Sequence, residues 1–334
     1  MKWIGISLLV IVVLVVGAIS LTIGWRPFVG PKARPLTGRK FEPTAARLAR
    51  GQYLAENLLD CFDCHGEHDW TKHDAPLIEG TRGAGYTDFV LAGLPGHIVP
   101  PNITPDPETG AGDWTDDQLA RAIREGIAHD GRALFPLMPY PDYRAMSDED
   151  LASVIVYLRS IPPVHKAIPK SEIIFPVKYL IRSVPQPITE PVAEPDRSNP
   201  VVYGQYLVGI AGCTDCHTPQ SRGQNLPGMD FAGGFILEGP WGRVASANIT
   251  PDPSGISYYD EALFIQTMRT GYVKARELNQ IMPWSNLRNL TDDDLKAMFG
   301  YLRTLKPVKH RVDNTDPPTL CKLCGNRHGL GDKN

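Results

Sequence analysis

The chain has 334 residues, of which 42% are hydrophobic and 21% are charged, and its formal net charge is −3. This composition is typical of a globular protein, the length allows two ordinary domains, and the near-neutral charge gives no sign of nucleic-acid binding. The 31 prolines and 31 glycines predict many irregular connections, which suit a core that is filled partly by a cofactor.

The first 25 residues predict a membrane-spanning helix. No charged side chain lies between Trp3 and Trp25, and about 20 apolar residues suffice to cross a bilayer. A cleaved signal peptide is the alternative, because Val16-Gly17-Ala18 offers small residues for cleavage. We favour an uncleaved anchor over residues 1–25, since the apolar character continues to Trp25, and either interpretation exports the rest of the chain.

Residues 26–43 form a predicted connector with several basic side chains. By the positive-inside rule, these charges would keep the following domains in the cytoplasm. Long domains translocate largely regardless of flanking charge, so we still expect an exported protein.

A first domain is predicted over residues 44–161, and its first helix runs into Cys61-Phe62-Asp63-Cys64-His65. Cys-x-x-Cys-His is the signature of covalent c-type haem attachment. Two thiols one helical turn apart can form thioethers to one edge of a porphyrin, and the adjacent histidine can bind the iron. A thioredoxin-like redox pair or half of a zinc site is the alternative for a single motif.

Two more helices are predicted in this domain. The second spans residues 115–128 and begins with a Thr-x-x-Gln capping pattern, and the third begins at Ser147, which acidic residues follow. Gly51 in the first helix should allow a close crossing with the third helix, with Tyr157 packed at the crossing.

Met138 is the predicted sixth ligand of the iron, because it lies in a Met-Pro-aromatic sequence between the second and third helices. His97 and His129 are the competing candidates in this domain. A haem with both axial positions filled transfers electrons without binding substrate, whereas an exchangeable position permits catalysis.

Residues 162–200 are rich in proline and predict a stiff, extended connector. Its apolar middle, residues 173–181, could lie on the membrane surface, on a partner or between the two domains. We favour the last of these positions.

The second domain, residues 201–307, repeats the first. The sequence Gly-Gln-Tyr-Leu occurs in both domains. Its first residue is Gly51, ten residues before Cys61, in the first domain, and Gly204, nine residues before Cys213, in the second. The repeat also contains Cys213-Thr214-Asp215-Cys216-His217, a second Asn-Ile-Thr-Pro-Asp and Met282 in Met-Pro-Trp. The duplication predicts two covalent haems c.

The tail, residues 308–334, contains a third Cys-x-x-Cys pair, Cys321 and Cys324, without an adjacent histidine. A disulfide is one interpretation in an oxidising compartment. A zinc site of Cys321, Cys324, His328 and an unidentified fourth ligand is another, and an atypical haem is the third.

The order of Cys-x-x-Cys-His, Asn-Ile-Thr-Pro-Asp, Met-Pro-Tyr and Tyr-Leu-Arg resembles the cytochrome c subunits of bacterial membrane-bound gluconate, sorbitol and alcohol dehydrogenases. The resemblance covers most of residues 45–307. It implies one haem held by Cys61, Cys64, His65 and Met138, and another held by Cys213, Cys216, His217 and Met282. It also implies a dehydrogenase subunit as the electron donor. Those subunits usually carry three such motifs, whereas this chain has two, so a carrier that takes electrons from a quinol-linked donor and passes them to an oxidase or another cytochrome fits as well.

Together these observations predict an all-α protein with two tandem cytochrome c-type domains after an N-terminal transmembrane helix. We expect a single-pass protein of the bacterial inner membrane, with periplasmic haem domains that transfer electrons and are not catalytic alone. The alternatives are a dihaem peroxidase or thiosulfate-oxidising enzyme with one exchangeable haem ligand, and a redox sensor tethered to a partner.

Overall fold

The structure is a computed structural model, and it describes residues 2–334. The N-terminal helix α1 (Lys2–Leu21) is followed by the short helix α2 (Arg26–Val29). The segment Trp3–Leu21 is long and apolar enough to cross a membrane, and none of it is buried against the rest of the protein. These features fit the expected single-pass anchor.

The first repeat has three main helices and several short elements. They are α3 (Ala45–Tyr53), α4 (Cys61–His65), β1 (Gly96–His97), α5 (Asp116–Glu125), α6 (Tyr140–Tyr143) and α7 (Asp148–Ser160). The predicted caps are present, because Thr115 and Gln118 form a capping box on α5, and the Ser147 hydroxyl accepts a hydrogen bond from the Asp150 amide on α7.

The connector and the second repeat follow. They contain β2 (Glu172–Ile173), α8 (Val177–Leu180), α9 (Pro200–Ile210), α10 (Cys213–His217), β3 (Gln220–Ser221), β4 (Gln224–Asn225), β5 (Ile236–Gly239), β6 (Gly242–Ala245), α11 (Glu261–Thr270), β7 (Tyr272–Val273), β8 (Arg276–Glu277), α12 (Trp284–Leu287) and α13 (Asp292–Leu302). In the tail, β9 (Pro318–Leu320) pairs with β10 (Arg327–Gly329).

The expectation of an all-α fold is met in part. Helices supply most of the buried apolar core of each repeat. The strands of residues 2–334 form antiparallel two-stranded sheets. Some, such as β5 with β6, are hairpins in the long connections between helices, whereas β1 pairs with β2 of the connector and β9 with β10 in the tail.

Glycine allows the first and third helices of each repeat to cross closely. A Cβ atom on Gly51 would lie 1.9 Å from the Ser153 carbonyl oxygen and 2.7 Å from the Tyr157 Cβ. The equivalent Gly204 has the same relationship to α13, at 1.9 Å from the Ala297 carbonyl oxygen. The predicted crossing at Gly51 is confirmed, and any larger residue would push the two helices apart.

A π-helical turn accounts for the extra residue in the first repeat. Residues Leu54–Leu58 continue α3 as a π-helix, with the Leu59 amide donating to the Leu54 carbonyl at 2.9 Å. A π-bulge accommodates one inserted residue within a helix. It therefore keeps Cys61 in register with the helix crossing, although the spacing from Gly51 is one residue longer than that from Gly204 to Cys213.

The connector between the repeats packs mainly on the first half of the chain. Strand β2 pairs with β1, and α8 lies against α2. Just after α8, the Arg182 guanidinium donates to the Pro27 carbonyl of α2 at 3.0 Å. We expected the apolar middle of the connector to pack between the two domains, and this was wrong. The local pairing with α2 and β1 buries Ile181, while Phe175 stays 78% exposed.

Candidate functional site

The two Cys-x-x-Cys-His motifs form single-turn helices, α4 and α10. Each turn begins after a residue in the left-handed region, Asp60 with φ 48° and Gly212 with φ 63°. All four cysteines are half-buried and unbridged. The structure thus places both thiols of each motif on one turn, directly before the histidine.

Each motif histidine is oriented by a backbone carbonyl. The Nδ1 atoms of His65 and His217 lie 2.7 Å from the carbonyl oxygens of Pro101 and Ala247, respectively. This contact requires the proton on Nδ1, which leaves the Nε2 lone pair free to bind a metal. Burial lowers the pKa of both histidines, so the neutral imidazole that a metal requires is favoured.

The surroundings of the four half-buried thiols favour an uncharged sulfur over a thiolate. Burial raises the pKa of Cys61, Cys64, Cys213 and Cys216 to about 12 each, with nearby carboxylates adding to the effect. A thioether carries no charge and therefore suits this setting. Two thiols on one helical turn directly before a histidine with a free Nε2 are the donor set that covalent haem attachment needs.

Met138 and Met282 lie in matching turns. Both are half-buried against the core, and the following prolines have almost the same backbone angle, ψ 45° at Pro139 and ψ 44° at Pro283. The equivalent turns give both methionines the same setting relative to their repeats.

Two glycines that sequence reasoning missed hold these turns in place. Gly126 and Gly271 end α5 and α11 in the left-handed conformation. A Cβ atom on either would lie 2.5 Å from the ring of the aromatic residue after the Met-Pro pair, Tyr140 or Trp284. The sequence signal that could have identified them is a glycine directly after the second main helix of each repeat.

The competing histidines of the first domain lie at the surface. His97 is exposed on β1, and His129 is exposed with its ring 4.4 Å from that of Trp114. Their positions favour Met138 over either histidine as the distal ligand.

Two indole nitrogens are also suited to a bound anionic group. The Nε1 atoms of Trp70 and Trp241 are buried without a hydrogen-bond partner in residues 2–334, and the two rings are 5.0 Å apart. Haem propionates would accept from such donors. By contrast, the Asn102 side chain accepts a hydrogen bond from Thr104 and donates one to the Val164 carbonyl. These bonds stabilise a turn, so the side chain is already occupied within the protein.

Both motifs contact the opposite repeat at the interface between the domains. The Asn286 amide donates to Asp63 at 2.6 Å, whereas the equivalent pair in the other half, Asp142 and Asp215, consists of two hydrogen-bonded carboxyls. Burial, followed by the charge of Asp142, raises the pKa of Asp215 to about 7, because both effects disfavour the charged form of this carboxyl.

The tail contains a separate cluster. His310, Cys321, Cys324 and His328 are all buried, and one potential ligand atom from each lies within 4.8 Å of the others. The two cysteines are not bridged. The sequence prediction had Cys321, Cys324 and His328 but missed His310, because it lies 11 residues before Cys321 in sequence and has no motif around it.

Related proteins support the same interpretation of the fold. A nicotinate dehydrogenase subunit of Pseudomonas putida is 31% identical over 309 residues, covering 87% of this chain and 24% of the relative. The gluconate 2-dehydrogenase cytochrome c subunit of Pantoea cypripedii is 31% identical over 276 residues, covering 78% of this chain and 60% of the relative. A diheme cytochrome c-type protein of Cereibacter sphaeroides is 29% identical over 259 residues, covering 75% of this chain and 83% of the relative.

The chain thus spans 24% and 60% of the length of the first two of these relatives. The family described as cytochrome c matches residues 48–162 and again residues 201–306. Both matched segments contain a Cys-x-x-Cys-His turn, a carbonyl-bound histidine and a Met-Pro-aromatic turn. The chain therefore belongs to the cytochrome c family.

Proposed function

We propose that the chain transfers single electrons through two covalently bound haems c. One would be held by Cys61, Cys64, His65 and Met138, and the other by Cys213, Cys216, His217 and Met282. The observation that carries this proposal is that both Cys-x-x-Cys-His turns contact the opposite repeat, α4 through Asp63 and Asn286 at 2.6 Å, and α10 through Asp215 and Asp142. Haems attached on the two sides of this interface would be able to pass electrons from one domain to the other.

Side chains of the protein would bind and orient the two haem irons. A bound haem supplies an iron that cycles between the ferric and ferrous states. The carbonyls of Pro101 and Ala247 orient His65 and His217, which would bind the two irons together with Met138 and Met282. An iron held by two protein side chains would have no site for a substrate, which supports a carrier over an enzyme.

The proposed division of the chain follows from the same sites. An anchor over residues 1–25 and a connector over residues 26–43 would precede haem domains over residues 44–161 and 201–307. Residues 162–200 would link these domains, and residues 308–334 would form the tail.

We also propose a dehydrogenase subunit as the electron donor, and an oxidase or another cytochrome as the acceptor. The names of the dehydrogenase-associated relatives support the donor. We propose a position on the periplasmic face of the inner membrane. Helix α1 and exposed apolar side chains near α2, which are Trp25, Phe28, Ile174 and Phe175, support attachment to a membrane. The reason for the periplasmic side is that c-type haem is attached outside the cytoplasm.

Intact mass and optical spectroscopy test the haem assignment on the full chain from cells that mature c-type cytochromes. The expected mass is that of the polypeptide plus two haems, and both ferric haems should show a methionine-to-iron charge-transfer band. The proposal fails if the mass equals that of the bare polypeptide. A high-spin haem with peroxide turnover would instead support the enzyme alternative.

Location and partner need a separate measurement. Protease added to spheroplasts should degrade the haem domains and leave cytoplasmic proteins intact, and co-purification from membranes should yield a dehydrogenase subunit. Protection of the haem domains until the membrane is broken would contradict the periplasmic assignment.

A further inference from the structure

We propose that His310, Cys321, Cys324 and His328 bind one zinc ion, which joins the β9–β10 hairpin to the segment around His310 and so fixes the fold of the tail beside the haem ligand His217. A Cys₂His₂ set with no open position is the usual composition of a structural zinc site. The site is independent of the proposed haems, because its four residues lie outside both Cys-x-x-Cys-His motifs and both Met-Pro-aromatic turns.

The distances within the cluster are close to those around a tetrahedral ion. His310 Nε2 lies 3.4 Å from Cys321 Sγ, and His328 Nε2 lies 3.3 Å from Cys324 Sγ. Zn–S and Zn–N bonds of ordinary length require about 3.3–3.8 Å between neighbouring ligand atoms. The other pairs lie within 4.8 Å, so only a small contraction would bring all four onto one ion.

Both histidines are set to use Nε2. His310 Nδ1 lies 2.9 Å from the Ala232 carbonyl oxygen, and His328 Nδ1 lies 3.0 Å from the Gly329 carbonyl oxygen. Metal-binding histidines commonly donate their second ring N–H to such an acceptor, which fixes the tautomer. The two cysteines lie in the turn of the β9–β10 hairpin, where the Cys321 amide donates to the Asn326 carbonyl at 2.9 Å.

The first domain provides an internal comparison. Lys166 is the counterpart of His310, because Asn102 donates to the Lys166 carbonyl at 3.3 Å and Asn248 donates to the His310 carbonyl at 3.2 Å. The Lys166 ammonium pairs with the Glu67 carboxylate. In the first domain, an ion pair therefore holds the segment after the third helix at Lys166. In the second domain, the potential zinc ligand His310 takes the equivalent position.

The zinc cluster is linked to the environment of His217. The His310 ring binds the Ala232 carbonyl, and the next amide, that of Gly233, donates to the His217 carbonyl at 2.7 Å. Asn326 of the hairpin donates to the Gly234 carbonyl at 2.9 Å. An ion at this position would thus hold the backbone beside the second motif, with no such effect on His65 in the first.

Metal analysis of the full chain tests the site directly. Protein purified without chelators should contain about one zinc ion per polypeptide, in addition to any iron. Cobalt substituted for zinc should show thiolate-to-cobalt charge-transfer absorption. Zinc-free protein in which mass spectrometry finds a Cys321–Cys324 disulfide would overturn the proposal, and so would a third covalent haem on these cysteines.

Variants distinguish this cluster from adventitious zinc. H310A and C321S should each lower the zinc content from about one ion to near zero. H97A, which removes an exposed histidine elsewhere, should leave it unchanged. Retention of stoichiometric zinc by both ligand variants would contradict the assignment. If a variant fails to fold, zinc content and thiol alkylation of the unaltered chain still decide the question.

The position of the ion predicts a selective effect on the haems. Removing zinc with a chelator should alter the spectrum of the haem at His217 and leave that of the haem at His65 unchanged. Because zinc content and haem count are measured separately, failure of this inference would be distinguishable from failure of the proposed electron-transfer function.

Discussion

The Tyr206 hydroxyl donates a hydrogen bond of 2.7 Å to the Asp150 carboxylate, across the interface between the two repeats. Tyr53 makes the reciprocal contact with Asp294 at 2.6 Å. Both tyrosines belong to the Gly-Gln-Tyr-Leu sequences. The repeated sequence therefore serves the packing of one domain against the other as well as the helix within each domain.

Replacing Tyr206 with phenylalanine should destabilise the protein by about 1–2 kcal/mol, because a buried carboxylate loses one of its donors. The loss should stay moderate, since Arg50 still binds Asp150 at 2.8 Å. Denaturant unfolding of the full chain measures this effect. The same change at the exposed Tyr272 is the matched control and should have little effect. Equal stabilities of the two variants would contradict an interface role for Tyr206.

Stability should fall in acid partly through Asp150. Burial alone would raise the pKa of this carboxyl, but the hydrogen bond and charge of Arg50 outweigh it, and the pKa is lowered. The contribution is therefore fully present above the unfolded value of about 3.9 and is lost as the pH falls through the lower folded pKa. Unfolding measured from pH 7 to pH 3 should show a shallower decline in D150N than in the unaltered protein. Parallel curves would exclude this carboxyl as the cause.

The close helix crossing predicts a large effect at Gly51. A Cβ atom there would lie 1.9 Å from the Ser153 carbonyl oxygen, so G51A should cost about 1–3 kcal/mol or more through overpacking. Gly209 in α9 has no atom within 4 Å of the equivalent position. G209A should therefore be neutral, or stabilising by about 0.5–1 kcal/mol from helix propensity. Thermal unfolding compares the two, and similar losses would contradict the packing at this crossing.

The distal ligand assignment predicts a spectroscopic change in one haem only. M282A should remove one of two methionine-to-iron charge-transfer bands and lower the reduction potential of that haem, because a thioether favours ferrous iron. M298L is the control, since Met298 is a buried residue of α13 and does not belong to the Met-Pro turn, and a volume-conserving change there should cost less than about 1.5 kcal/mol. Two intact bands in M282A would show that another residue binds the iron.

Local signals in the sequence determined the elements that carry the chemistry. The caps at Thr115, Ser147 and Thr291 set the starts of α5, α7 and α13, because a cap acts over three residues. The Cys-x-x-Cys-His turns are equally local, and the repeat made both of them recognisable. The connector was harder to place, since an apolar stretch such as residues 173–181 can pack on any apolar surface within reach.

Only the tertiary structure decided which distant groups meet. It brought His310 to Cys321 and Cys324, placed Asp142 against Asp215, and laid α8 on α2. Such contacts depend on how two repeats and a tail pack together, and no periodicity in the chain encodes that packing. The motifs themselves were readable from the sequence because their spacing is that of one helical turn, which forms in the same way wherever the rest of the chain goes.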